Sequence, residues 1–184
     1  LPDVTVIAAA FDRDGRRLGY TAARAHHAEI GSIRPGSMPA DATTLEQEGV
    51  VIPPMYAVRA GTSCSESLRQ VLASGKHPSR QVEQNIADIN AAIAAVQAGV
   101  AQLCDLADRF GADRVRWAME AIQSRSATAS ARAIARLCER GLSRVACEDA
   151  LDDGTPLRAC VEVDSQSRQI AFDFSGTFGS GMHG

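Results

Sequence analysis

Residues 82–111 of this chain read VEQNIADINAAIAAVQAGVAQLCDLADRFG. The large apolar side chains recur at alternating steps of four and three positions, at Val82, Ile86, Ile89, Ile93, Val96, Val100 and Leu103. Such spacing places them on one face of a long α-helix, which Gly111 ends. A second amphipathic helix is predicted over residues 112–141, with a break at residues 124–130, where Ser and Thr compete for backbone hydrogen bonds. One Gly between two such helices favours an antiparallel helical hairpin whose apolar stripes pack on each other; a stripe that binds a partner is the alternative.

Strand-forming sequence lies on both sides of the helices. Residues 4–24 predict a β-hairpin, because β-branched and apolar runs flank the turn sequence DRDG at residues 12–15. Alternating residues at 157–163 and 170–174, joined by a polar turn, predict a second hairpin. The chain is therefore assigned to the α+β class, with an N-terminal β-hairpin and long ordered loop, a long antiparallel helical hairpin and a C-terminal β-hairpin. The predicted segments are 1–60, 61–141 and 142–184, together one part of a larger domain.

Composition argues against several classes of protein. The 184 residues carry 19 Lys and Arg against 22 Asp and Glu, a net charge of −3, which argues against a nucleic-acid partner. No continuous apolar run approaches the roughly 20 residues of a membrane span, so no membrane partner is expected. The five cysteines form no CxxC pair and are typical of idle thiols in a reducing compartment, which predicts a cytoplasmic location. Because the chain begins with Leu and ends in a Gly-rich run, we expect it to be an internal fragment of something longer.

The sequence RAHHAEIG at residues 24–31 carries the sharpest local signal for chemistry. Neutral imidazole and a carboxylate oxygen form mixed sites for Mn, Fe or Zn. In an extended chain neighbouring side chains diverge, so one of His26 and His27 faces a given metal while the other can act as acid or base. Glu29 then lies on the same side as one imidazole. Two surface histidines beside a solvated Glu explain the same pattern equally well.

A second candidate site lies in the irregular stretch of residues 25–54, where periodicity is lost. In the sequence RPGSMPADAT at residues 34–43, Gly and Pro impose an irregular backbone, and small polar side chains lie along it. Arg34 is suited to binding a carboxylate or phosphate, and Ser37 and Asp41 are candidate substrate-binding residues beside it. The chain holds no GxxxxGK phosphate loop and no GxSxG elbow, so it binds no ATP through the standard loop motif and shows no serine-hydrolase signature.

Residues 25–54, AHHAEIGSIRPGSMPADATTLEQEGVVIPP, resemble the signature stretch of the hydantoinase B/oxoprolinase family, which contains AHHADIGG and PGSMP followed by EG and IPP. The initial Leu-Pro-Asp3 is similar to the end of that family's THLPD motif, and residues 172–177, FDFSGT, are similar to its DFSGT strand. The three motifs stand in the family's order, with a helical insert between the second and third. Two positions depart from the pattern: Glu29 stands where the family has Asp, and Ser32 where it has a second Gly.

The resemblance implies a partner, a hydantoinase A-like subunit or domain that binds ATP, and therefore a hetero-oligomer. Together such chains open small cyclic amides such as 5-oxoproline or N-methylhydantoin after ATP activates the amide, whereas sister enzymes carboxylate ketones such as acetone. The resemblance further implies a divalent metal, Mn, Zn or Fe. Its ligands here would be Asp3 and one of His26 and His27, with Glu29 as a further carboxylate in or beside the ligand set.

The resemblance thus predicts the B-type part of an ATP-dependent cyclic-amide hydrolase, with His26, His27 and Arg34 as its catalytic residues. Arg34, Ser37 and Asp41 would orient a carboxylate or phosphate of the substrate. Two alternatives stay open, namely a subunit of an ATP-dependent ketone carboxylase and a non-catalytic interaction module whose helices dock the partner. We expect these 184 residues to be inactive alone.

Overall fold

The computed structural model describes residues 2–36, 38–152, 154–164, 166–167 and 169–177. The chain forms two compact units, Leu1–Arg116 and Trp117–Gly184, whose boundary falls inside one long helix. Antiparallel strands and long helices occupy separate parts of the chain. This segregation confirms the α+β class predicted from the sequence.

The first unit is built on an antiparallel β-hairpin of strands β1 (Asp3–Phe11) and β2 (Arg17–His26). Asp12 shapes the turn, because its Oδ1 accepts hydrogen bonds from two backbone N–H groups of the turn, at 3.0 Å and 2.8 Å. The pairing extends to the open end of the hairpin, where Asp3 stands opposite His26. The predicted N-terminal hairpin is confirmed.

An irregular loop follows β2 and contains two close backbone crossings. Gly31 has a φ of +88°, and a Cβ there would lie 2.1 Å from the carbonyl oxygen of His77. Gly49 has a φ of +136°, and a Cβ there would lie 2.7 Å from the carbonyl oxygen of Ile30. Neither crossing leaves room for a side chain, so both positions require glycine. The short elements of this part are α1 (Leu45–Glu48), β3 (Val58–Arg59), β4 (Thr62–Ser63) and α2 (Ser65–Leu72).

Helix α3 (Val82–Phe110) packs on β1, β2 and α2. The core formed there consists of Ile30, Leu68, Leu72, Ile86 and Ile89. Further along the helix, Oγ1 of Thr21 on β2 donates a hydrogen bond to the carbonyl of Val96 at 2.9 Å. The prediction that the apolar stripe of α3 packs on the second helix is therefore wrong. The stripe covers the hairpin instead, because a two-stranded hairpin is stable only with a packed face.

By length and composition, α3 is also apolar and long enough to cross a membrane, and among the described residues no other helix is. The core helix of a soluble protein meets the same criteria. Here Ile86, Ile89 and Val96 are buried. The absence of a membrane partner stays a prediction from the sequence.

Helix α4 (Ala112–Glu139) runs without interruption. The break expected at residues 124–130 is wrong. Oγ1 of Thr128 donates to the carbonyl of Ser124 at 2.9 Å, so the hydroxyl is satisfied without opening the helix. The start of α4 belongs to the first unit, where the guanidinium of Arg116 lies 3.5 Å from the carboxylate of Asp12.

The second unit contains an antiparallel sheet of three strands, β5 (Arg144–Ala150), β6 (Pro156–Asp164) and β7 (Gln169–Asp173), in that order. The pairing of β6 with β7 confirms the predicted C-terminal hairpin. Strand β5 is not predicted from the sequence, because its charged and small residues show no apolar alternation and all of them are exposed. Thr177 in the FDFSGT motif holds β6, since its Oγ1 donates to the carbonyl of Arg158 at 2.7 Å.

Replacing Ile89 by Ala is expected to lower the free energy of unfolding by about 2–5 kcal/mol, because the change leaves a cavity in the core of the first unit. Ile89 is 2 % exposed, whereas Ile122 on α4 is 68 % exposed. The same substitution at Ile122 is expected to change stability by about 0.5 kcal/mol at most. Chemical denaturation of both variants measures the difference, and equal losses would contradict the burial of α3 on the hairpin.

Candidate functional site

Asp3 and His26 meet at the open end of the β1–β2 hairpin, where the antiparallel register sets them opposite each other. Nδ1 of His26 donates to Oδ1 of Asp3 at 3.0 Å, and the guanidinium of Arg24 donates to Oδ2 at 2.9 Å and 3.2 Å. The hydrogen bonds from Arg24 and then from His26 lower the pKa of Asp3. At neutral pH the site therefore presents an ionised carboxylate and an imidazole side by side.

His27 points away from its neighbour. Its side chain is 3 % exposed, and its Nδ1 lies 2.7 Å from Oδ1 of Asn85 on α3. Its backbone N–H donates to the carbonyl of Pro2 at 2.9 Å, which continues the β1–β2 pairing by one step. The two histidines thus diverge, as the alternation of an extended chain predicts. The structure brings His26, and not His27, to Asp3.

The carboxylate of Glu29 binds the segment that directly precedes α3. The donors to its carboxylate are Oγ of Ser79 at 2.5 Å and the backbone N–H groups of Gly31 at 2.8 Å, Arg80 at 3.1 Å and Gln81 at 3.0 Å. Burial raises the pKa of Glu29, but these hydrogen bonds outweigh it, and the pKa lies below its usual value. The positive end of the helix dipole favours the same negative charge. The role of metal ligand expected for Glu29 does not fit this geometry, because protein donors already occupy both carboxylate oxygens.

Arg34 and Asp41 bind each other. The guanidinium of Arg34 donates to Oδ2 of Asp41 at 2.8 Å and 3.0 Å, and both side chains are exposed. The hydrogen bond from Arg34 lowers the pKa of Asp41. Ser37, the third predicted substrate-binding residue, lies outside the described residues. A substrate anion would compete with Asp41 for the Arg34 guanidinium, and an exposed ion pair is weak enough to allow that exchange.

A cleft of about 890 Å³ opens beside β1 and includes Asp3 in its wall. Most of the remaining wall comes from β1, from residues 48–58 and from the α3 side chains Ile89, Ile93 and Val96. Within the described part of the chain, its charged lining residues are Asp3 and Glu48. A largely apolar cleft with few polar groups is typical of a small-molecule site.

The donors present fit a metal ion only in part. Within the ranges that the structure describes, no group of three or more His, Cys, Asp or Glu side chains could hold a metal. Asp3 and His26 supply one oxygen and one nitrogen donor, whereas His27 and Glu29 are directed to α3. Metal binding therefore stays a prediction, and in this geometry it concerns Asp3 and His26.

Three polar residues of this region are not predicted from the sequence: Arg24, Ser79 and Asn85. Asn85 alone carries a signal, because it lies on the apolar face of α3, three positions after Val82 and four before Ile89. A polar side chain at such a position needs a buried partner. Arg24 and Ser79 look like ordinary surface residues, and only tertiary contacts determine their partners.

Comparison with known proteins identifies relatives over nearly the whole chain. Residues 1–182 match the family Hydantoinase B/oxoprolinase. The 5-oxoprolinase of Saccharomyces cerevisiae is 33 % identical over 184 residues, covering 96 % of this chain and 14 % of that protein. 5-oxoprolinase 1 of Arabidopsis thaliana is 30 % identical over 196 residues, covering 96 % and 15 %. The acetophenone carboxylase delta subunit of Aromatoleum aromaticum matches over 42 residues at 48 % identity, covering 23 % of this chain and 6 % of that subunit.

A solved structure shares the fold. The crystal structure of an ATP-dependent caprolactamase from Pseudomonas jessenii aligns with a TM-score of 0.67 at 22 % identity, covering 93 % of this chain and 29 % of that one. At this identity the likeness concerns the fold alone. The chain spans 14–15 % of the length of the 5-oxoprolinases it matches.

Replacing Glu29 by Gln is expected to lower the free energy of unfolding at pH 7 by about 1–3 kcal/mol, because one amide N–H₂ would then face backbone donors. A carboxyl with a lowered native pKa stabilises the fold fully above its unfolded pKa, about 4.3, and loses this contribution as the pH falls through the native value. The stability gap between the native protein and E29Q should therefore shrink as the pH falls below about 4.3. Denaturation across this pH range measures the gap. Glu120, exposed on α4, is the control position, and a gap there equal to that at Glu29 would refute the stabilising role of these hydrogen bonds.

Ser32 occupies a backbone conformation that favours glycine, with a φ of +129°, while only 1 % of the residue is exposed. Its Oγ donates to the carbonyl of Arg34, so Ala and Gly both remove this hydrogen bond, but only Gly relieves the strain. We expect S32G to be more stable than S32A by about 1–2 kcal/mol in chemical denaturation. At the exposed helical residue Ser130 the order should reverse, because Ala is the better helix former. The same order at both positions would show that Ser32 is unstrained.

Proposed function

Because the chain belongs to the hydantoinase B/oxoprolinase family, we propose that it forms part of the B-type chain of an ATP-dependent cyclic-amide hydrolase. The type is that of 5-oxoprolinase or N-methylhydantoinase, and the substrate is a small lactam. The observation that carries the proposal is the Asp3–His26 pair, whose Asp3 lines a largely apolar cleft. The 5-oxoprolinases at 33 % and 30 % identity support this substrate class.

The lactam is activated by ATP on a partner, a hydantoinase A-like subunit or domain, with which this chain forms a hetero-oligomer in the cytoplasm. Two observations support a partner. The sequence contains no GxxxxGK phosphate loop. The charged residues that line the described cleft are acidic, and they would repel a triphosphate. This chain therefore acts on the activated amide rather than on the nucleotide.

The residues of this chain complete the reaction as follows. The Asp3 carboxylate orients the His26 ring, so that His26 takes a proton from water attacking the activated carbonyl and returns it to the amide nitrogen as the ring C–N bond breaks. A divalent metal held by Asp3 and His26 would supply Lewis-acid activation of that water in place of His26 as the base, because the ring cannot bind a metal and accept a proton through one lone pair. The apolar wall at Ile89 and Ile93 excludes bulk solvent from the reacting carbonyl. Arg34 binds a carboxylate or phosphate of the substrate in exchange for Asp41.

A ketone carboxylase is the second candidate, because of the 42-residue match to the acetophenone carboxylase delta subunit. The two reactions share activation by ATP and differ in the second substrate. A hydrolase uses water and turns over without bicarbonate, whereas a carboxylase requires bicarbonate. Dependence of turnover on added bicarbonate therefore separates them.

We expect D3N and H26A to lower kcat for ATP-dependent lactam hydrolysis by about 10²–10⁴-fold, because H26A removes the proton acceptor and D3N removes the carboxylate that orients it. The assay uses the chain with its ATP-binding partner, 5-oxoproline and caprolactam as substrates, and measures ring opening together with ADP release. Metal content, measured by mass spectrometry on the same samples, is expected to fall with activity.

H77Q is the matched control, because His77 contacts the loop through its backbone carbonyl. It should retain activity and metal content. Unchanged turnover in both D3N and H26A would exclude catalysis at this pair and favour the non-catalytic interaction module. Loss of metal in H27A but not in H26A would show that His27, and not His26, is the metal ligand.

A further inference from the structure

A chain of directed hydrogen bonds runs from Glu29 through Ser79 to Asn85. The Glu29 carboxylate, with its lowered pKa, can only accept, so the Ser79 hydroxyl donates its proton to Oε1 at 2.5 Å. The oxygen of Ser79 is then an acceptor for Nδ2 of Asn85 at 2.9 Å. Nδ2 also donates to the carbonyl of Glu29 at 3.0 Å. These contacts fix the orientation of the Asn85 amide, with Nδ2 toward Glu29 and Oδ1 on the other side.

The orientation of Asn85 determines the proton position on His27. Nδ1 of His27 lies 2.7 Å from Oδ1 of Asn85, which has no proton to give, so Nδ1 must be the donor. A carboxylate oxygen of Asp88 lies 4.0 Å from the same nitrogen and favours a proton there as well. In the neutral ring the lone pair then belongs to Nε2.

Nε2 is the nitrogen of the His27 ring that remains for a further partner. Within the described part of the chain, the hydrogen bond of the His27 ring passes through Nδ1, and 3 % of the residue is exposed. A ring held in one tautomer presents its lone pair in a defined direction.

We infer that Asn85 is a positioning residue that holds His27 as the Nδ1–H tautomer and presents its Nε2 lone pair. Its use in lactam opening rests on the proposed function, whereas the tautomer does not. The two adjacent histidines are therefore oriented by different hydrogen-bond partners. His26 is oriented by the Asp3 carboxylate, and His27 by the neutral amide of Asn85.

The test is the tautomer of His27, read from ¹⁵N NMR of the ¹⁵N-histidine-labelled full chain under conditions where the rings are neutral. H27Q assigns the signals by their loss. The native protein is expected to show a pyridine-like Nε2 and a pyrrole-like Nδ1 at His27, and N85D, which keeps an acceptor oxygen, should show the same. N85L should shift His27 toward Nε2–H, whereas the control N90L, exposed on the same helix, should not. A predominantly Nε2–H ring in the native protein overturns the inference without any variant having to fold.

Activity in the complex with the ATP-binding partner separates this inference from the proposed function. N85L is expected to lower kcat for lactam hydrolysis by about tenfold or more relative to N90L, with N85D restoring part of it. If the native complex opens no lactam, the proposed function fails, and the NMR result still decides the tautomer. If the native complex is active and N85L equals N90L, the positioning role is refuted.

Discussion

The carboxylate of Glu29 at the N-terminal end of α3 is the contact on which the rest of the first unit depends. It accepts hydrogen bonds from the backbone N–H groups of Arg80 and Gln81, which directly precede α3, and it ties them to the loop after β2. Through Ser79 it also orients Asn85. One buried charge therefore sets where α3 begins, how the loop is anchored and which way the amide beside His27 faces. A group with so many donors around it specifies a single arrangement, because losing any donor leaves it under-satisfied.

The hairpin register determines the other half of the site. Antiparallel pairing places Asp3 opposite His26, and the next residue, His27, must then face the opposite side. One strand end thus provides two imidazoles in two environments, one half-exposed beside a carboxylate and one buried beside an amide. A slip of one residue would exchange them and would place His26 against α3. The core under α3, which includes Ile86 and Ile89, makes that slip costly, because it would turn the apolar side of β1 to solvent.

The local features of this fold could be predicted from the sequence, and the non-local ones could not. The β1–β2 hairpin and the ends of α3 follow from turn residues, from Gly111 and from the apolar period. The packing of α3 on the hairpin was not predicted, because a heptad-like stripe fits a sheet as well as a second helix. Strand β5 lacks apolar alternation and is held by pairing alone. At the site, the divergence of His26 and His27 follows from strand geometry, whereas the roles of Glu29 and Asn85 depend on residues 50 to 58 positions apart in the chain.

This chain departs from the family pattern at two positions, and the hydrogen bonds of the loop after β2 explain both. Glu29 stands where the family pattern has Asp, and its carboxylate reaches both Ser79 and the backbone N–H groups of the segment just before α3. Ser32 stands where the family has Gly, keeps a glycine-like φ of +129° and binds the carbonyl of Arg34. Arg80 reinforces the same turn by donating to the carbonyl of Ser32 at 2.9 Å. The loop that carries Arg34 is therefore held from both sides, and its ion pair with Asp41 stays at the surface, where an incoming anion can reach it.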